Sequence, residues 1–130
     1  MNGIGRQVVR TDSAPAPVGP FSQGIKTDKF VFVSGQGPFD SKTGKIVAND
    51  IASQTRQTLE NIKGILDASG LTMGDVVMVS VFLKRPEDFQ GMNEVYKTFF
   101  PDKPPARTTV VTGFVAPGML IEANAIACRE

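Results

Sequence analysis

Eight consecutive residues, Val76–Leu83 (VVMVSVFL), are apolar at every position except Ser80, so a strand drawn through them is greasy on both sides. Val76, Met78 and Phe82 alternate along it with Val77, Val79, Val81 and Leu83, and a strand of that kind needs cover on both faces. The chain offers two helices for the task. After Asn49 or Asp50 as N-cap, Ile51, Thr55, Leu59, Ile62, Ile65 and Leu66 recur at spacings of three and four, and Gly70 supplies a stop. This predicts a helix of about five turns, with Gln54, Arg56, Gln57, Glu60 and Lys63 on a solvated side. The second helix begins at Pro86, carries Phe89, Met92, Val95, Tyr96, Phe99 and Phe100, and ends in PDKPP. Two helices cover one face of a sheet. The other face is expected to be buried by a further copy of the chain, in a homo-oligomer whose subunit boundary lies at the sheet. The competing reading is a strand that simply leaves apolar side chains exposed, as many surfaces do.

The remaining segments supply the other strands. Val8 and Val9 form a short first strand, and the proline-rich TDSAPAPVGP is an extended loop ending in GPFSQG. Ser22 to Lys26, the turn Thr27-Asp28-Lys29 and Phe30 to Ser34 then complete a three-stranded meander. The strand closes in SGQGPFD, where Gly35 and Gly37 permit either close backbone approach or positive φ. A dinucleotide loop is a poor reading there, because the third glycine is missing and SKTGK is another turn. Pro104 and Pro105 hold the chain extended before a strand near 107–112, so strands near 30–34, 76–83 and 107–112 are joined by two crossover helices in right-handed β-α-β units. A closing hairpin through Pro117-Gly118 would set Arg107 opposite Cys128 and Glu122 opposite Gly113, absent a bulge. At 130 residues, positions 1–130 are expected to form a single α+β domain.

What the chain lacks narrows its chemistry. It has no histidine and one cysteine, Cys128, so histidine-based triads, ordinary zinc and haem sites and an internal disulfide are all excluded. The net charge of +1, with acids and bases interspersed, gives no basic field for a nucleic-acid partner. Met1 to Arg10 has no apolar leader core and no window nears a membrane span, so no membrane partner is expected and the cytoplasm or an equivalent reducing compartment is. Two charges then stand out. Arg107 sits at a strand's mouth, where its fork can clamp a carboxylate, and Glu122 lies inside the apolar strand IEANAIA, where it can hold or activate a water. The alternative is a structural ion pair at a sheet end, with Glu122 facing solvent.

The segments GPFSQG, VSGQ, MNEVYKTFFPDKPPARTTV and IEANAIA, in that order along nearly the whole chain, resemble the RidA/YjgF family of reactive-intermediate deaminases. The most specific part is PPAR, followed fifteen residues after its arginine by the glutamate of IEANAIA. The resemblance implies an α+β fold like that of the small bacterial chorismate mutases. It also implies a mixed six-stranded sheet with two helices on one face, and a homotrimer that buries the other face and holds its sites between subunits. It further implies cofactor-independent hydrolysis of short-lived 2-enamine and 2-imine acids such as 2-aminoacrylate, giving a 2-oxo acid and ammonia. By position, Arg107 matches the carboxylate-binding arginine and Glu122 the residue that positions water. Ser34 and Gly35 match a turn lining the pocket, and Asn93 and Tyr96 match helix residues beside it. Phe21 stands where the family usually has tyrosine and keeps an aromatic wall without the phenol; Thr109 stands where it often has cysteine and offers the same backbone carbonyl. A small carboxylate is thus the implied ligand, and a non-catalytic carboxylate-binding module, or a paralogue acting on another imine, is the alternative.

Overall fold

The computed structural model describes residues 5–130; the first four residues, part of the stretch read above as lacking a leader, lie outside the described residues. Six strands form one mixed sheet: β1 Gln7–Val9, β2 Gly24–Lys26, β3 Phe30–Gln36, β4 Val76–Leu83, β5 Ala106–Val111 and β6 Ile121–Cys128, in the spatial order β1-β2-β3-β6-β4-β5. The first three make the expected antiparallel meander, with Thr27 N–H donating to the Phe30 carbonyl at the turn. Between β3 and β4 runs helix α1, Ile51–Ala68, started by the Asp50 carboxylate accepting from Ser53 N–H and followed by Gly70 at φ +85°. A 3-10 turn over Pro86–Asp88 leads into helix α2, Phe89–Phe99, between β4 and β5.

The helices lie against one face. Val31, Val33, Val79, Val81, Leu83, Ile121, Ala123, Ala125 and Ala127 of the sheet meet Leu59, Ile62, Ile65, Leu66 and Met92 of the helices in one buried cluster. Each large side chain buried there contributes about 1.5 to 3 kcal/mol. The alanines of β6 keep the middle of the sheet thin, which lets α1 approach it closely.

Two expectations are corrected. The hairpin through Pro117-Gly118 does not form: β6 pairs antiparallel with β3 and β4, while β5 pairs only with β4, in parallel. The connection passes across the end of β4, where Thr112 N–H donates to the Leu83 carbonyl and Lys84 N–H donates to the Leu120 carbonyl. Arg107 therefore lies opposite Val79, Glu122 opposite Phe82 and Cys128 opposite Phe30. An Ala-rich strand with alternate positions fully buried belongs under the helices, whereas β5, with Val110 and Val111 exposed, is suited to the edge.

The second correction concerns α1. Gln54 does not face solvent: it is fully buried, its amide nitrogen donating to the carbonyls of Ala48 and Gly118 and its oxygen accepting from Leu120 N–H. Asn61, about two turns further on, is also buried and donates to the carbonyls of Gly37 and Phe39. Loops fold over this side of the helix, and the two amides satisfy backbone groups that would otherwise be lost to water.

Among the described residues nothing covers the opposite face of the sheet. Val8, Ile25, Phe32, Ile126 and Met78 form a row across five strands there, and Phe30, Phe32 and Val110 are 41%, 43% and 43% exposed. A register shift between Val76 and Met78 turns Val76 inward with Val79 and leaves Val77 exposed, so the strict alternation read along β4 breaks at its start.

Candidate functional site

Arg107 is set at the edge of the sheet on the helix side, at the end of a row formed with Val33, Ala125 and Val79. Its guanidinium carbon lies 4.7 Å from the centre of the Tyr96 ring and 5.7 Å from that of Phe89, and one terminal nitrogen stands 3.9 Å from the Met92 sulfur. Among the described residues no carboxylate pairs with it. Beside it opens a groove of about 420 Å³ walled by Asn93, Tyr96, Phe100, Pro104 and Pro105. The two prolines that keep β5 extended thus also shape the wall next to its arginine.

Tyr96 is buried and its ring lies 4.7 Å from that of Phe100. Burial raises the pKa of its phenol, and the nearby positive charge of Arg107 works in the opposite sense. The guanidinium lies over the ring, and the phenol oxygen makes no well-aligned hydrogen bond among the described residues, although a weak contact with Arg107 also lowers its pKa. Asn93 is half-buried and its amide is likewise unengaged, and Thr109, half-buried, follows Arg107 on the same face of β5, opposite Val81.

Glu122 belongs to the other side of the sheet. It shares a row with Phe82 and Val110 on the uncovered face, and burial raises the pKa of its carboxyl. Gly35 lies directly against it, so that a β-carbon at that position would collide with the Glu122 carboxylate and approach its carboxyl carbon to 3.1 Å. Gly35 therefore serves close approach, one of the two roles its sequence context allowed; its φ is not positive. Ser34 and Gly35 are not a turn, because β3 continues to Gln36 through an irregularity that places one extra residue between Val33 and Gln36. The Ser34 hydroxyl donates to the Ser22 carbonyl at 2.6 Å, which ties β3 to the segment carrying Phe21. Phe21 itself is half-exposed, in a tight turn closed by its N–H donating to the Gly19 carbonyl.

The residues singled out from sequence thus fall into two groups. Arg107, Asn93, Tyr96 and Thr109 gather at the β5 edge on the helix side, and Glu122, Gly35 and Ser34 gather on the uncovered face, next to the loop of Phe21. Arg107 and Glu122 do not form an ion pair within the chain, which removes the structural-pair reading. Phe89 and Met92 were read only as core, yet both touch Arg107; their spacing from Tyr96 on one helical stripe was the available signal. Among the described residues no cluster of acidic, cysteine or histidine side chains could hold a metal ion, and no helix is long and apolar enough to cross a membrane.

Residues 11–129 match the protein family described as endoribonuclease L-PSP. A RutC family protein from Pyrococcus horikoshii is 50% identical over 125 residues, covering 96% of this chain and 99% of that protein. A 2-iminobutanoate/2-iminopropanoate deaminase from Salmonella typhimurium is 42% identical over 127 residues, covering 95% and 98%. Among solved structures, Escherichia coli TdcF with bound serine superposes with a TM-score of 0.91 at 38% identity, covering 95% and 99% of the two chains.

Proposed function

From the premise that the chain belongs to the endoribonuclease L-PSP family, the RidA/YjgF family, whose fold it has, we propose that it is a hydrolytic deaminase of reactive 2-imine and 2-enamine acids. The observation that carries this reading is Arg107, a guanidinium that no carboxylate pairs with among the described residues, beside a groove whose acidic lining residue, Glu94, pairs with Lys97. Such a fork recognises a small carboxylate through two parallel hydrogen bonds. The relative named for 2-iminobutanoate and 2-iminopropanoate, and the neighbour solved with serine, support a ligand of that class.

The reaction adds water across the C=N bond of the imine, and the resulting carbinolamine loses ammonia to leave a 2-oxo acid. Arg107 holds the carboxylate. Glu122, whose burial makes it a stronger base than an exposed glutamate, orients the water and takes its proton as oxygen attacks carbon; the nitrogen leaves protonated. An imine already reacts with water, so orientation and one proton transfer suffice and no cofactor is called for. Because Arg107 and Glu122 leave opposite faces of the sheet, the reading takes them from two copies of the chain, in the homotrimer that the family resemblance implies. The uncovered face with Phe30, Phe32 and Val110 is the surface that such an assembly would bury. The near-neutral charge gives an RNA substrate little to bind, and the single cysteine suits a reducing compartment such as the cytoplasm.

The test couples a serine or threonine dehydratase to this protein and follows disappearance of the imine. Arg107→Ala is expected to lower the accelerated rate about 100-fold, the scale of a lost charge-assisted pair, with circular dichroism unchanged. A variant as fast as the parent overturns the assignment. Binding of 2-oxobutanoate without any acceleration by the parent protein replaces the enzyme with a carboxylate-binding module.

A further inference from the structure

We infer that α2 carries a positioning cradle for Arg107, with the ring of Tyr96 as its principal element; this rests on the reading of Arg107 as the carboxylate anchor. Phe89, Met92 and Tyr96 stand at positions i, i+3 and i+7 of the helix, so they form one stripe, and all three contact the guanidinium. Tyr96 and Met92 are buried and make a fixed floor, while Phe89 is 40% exposed and forms the rim. The usual way to hold an arginine is a carboxylate, which consumes the donors of its fork and cancels its charge. Here two acids near it are engaged elsewhere, Asp88 accepting from Arg85 at 2.9 and 3.0 Å and Glu94 pairing with Lys97 at 3.1 Å, and Glu87 forms no ion pair with Arg107.

An aromatic face attracts the cation through its quadrupole and accepts none of the in-plane N–H bonds. The guanidinium is therefore restrained while its donors, apart from the weak one from Nη1 to the Met92 sulfur, stay available to an incoming carboxylate, and rotamer freedom that would be lost on binding is already lost. The phenol oxygen of Tyr96 makes no well-aligned hydrogen bond among the described residues, so what this residue chiefly gives Arg107 is its ring, a division that Tyr96→Phe reads out.

Five variants test the cradle: Tyr96→Phe, Tyr96→Leu, Phe89→Ala, Arg107→Ala and Tyr96→Leu combined with Arg107→Ala. The readouts are KM and kcat for 2-iminobutanoate, Kd for 2-oxobutanoate by calorimetry, and melting temperature. Tyr96→Leu is expected to raise KM and Kd about 10-fold with kcat within about 2-fold, as loss of a desolvated cation-ring contact should. Tyr96→Phe stays within about 3-fold of the parent because the ring is kept, and in the Arg107→Ala background Tyr96→Leu adds nothing further. A structural role would instead give losses that multiply in the double variant. Unchanged affinity in Tyr96→Leu overturns the cradle, as does a Tyr96→Phe loss equal to that of Tyr96→Leu, which would assign the effect to the hydroxyl. Should Tyr96→Leu fail to fold, Phe89→Ala at the exposed rim decides, with an expected rise in Kd of about 3-fold against none. Full binding by Arg107→Ala alone sinks the carboxylate-anchor reading and the cradle with it; loss of binding by Arg107→Ala beside a normal Tyr96→Leu sinks only the cradle.

Discussion

Arg107 and Glu122 are each tuned by an immediate neighbour that leaves their reactive atoms available. For Arg107 these are the rings of Phe89 and Tyr96; for Glu122 it is the bare backbone of Gly35, where any side chain would displace the carboxylate. Half-burial on the uncovered face raises the pKa of Glu122, and this sets an expected pH dependence. A base works only when deprotonated, so kcat/KM should rise with pH through a value above the ordinary glutamate pKa of about 4.3. That acidic limb should vanish in Glu122→Gln, along with most of the activity. A pH profile of both proteins, corrected for spontaneous imine hydrolysis, checks it; a limb that persists in Glu122→Gln assigns the titration to another group.

Helix α1 shows how far an element can be designed around its polar residues. Gln54 holds the β6 end of the connection between β5 and β6, through the Gly118 carbonyl and Leu120 N–H, and the loop before the helix through Ala48. Gln54→Ala takes the partner from those three part-buried groups and leaves a cavity where a fully buried side chain stood, and is expected to cost on the order of 2 kcal/mol in chemical denaturation, more than a change on a solvated helix side. Hydrophobic periodicity placed this helix and its cap correctly, yet it assigned Gln54 to water, because a spacing of three and four reports where apolar residues recur and not which loops return over the remainder. The strands tell a similar story. Their existence and the two-sided character of β4 were legible in the run VVMVSVFL, whereas the place of β6 was not: Pro117-Gly118 resembles a hairpin turn locally, and only the packing of Ala123, Ala125 and Ala127 beneath α1 draws that strand to the centre. The site residues were legible as types, but the face each one occupies depended on that long-range register.

At the scale of the whole molecule, the proposed assembly with further copies of the chain would account both for the uncovered row of apolar side chains and for the separation of Arg107 from Glu122. Two inactive variants, Arg107→Ala and Glu122→Gln, should therefore recover part of the activity when unfolded together and reassembled, since some mixed interfaces receive an intact residue from each side. Mixing without recovery, in assemblies shown by mass to contain both variants, would mean that one chain supplies the whole site.

The position of β6 also bears on how the polypeptide reaches this form as it is made. β6 follows every other strand in sequence but lies between β3 and β4 in space. A nascent chain that has emerged only through β5 holds a three-stranded piece and a two-stranded piece with no strand between them, each showing unpaired backbone edges. The final strand must slot between the two in a late, long-range step, so the native sheet cannot grow outward from the ribosome one strand at a time, and an arrested translation product would present the very edges on which chains adhere to one another.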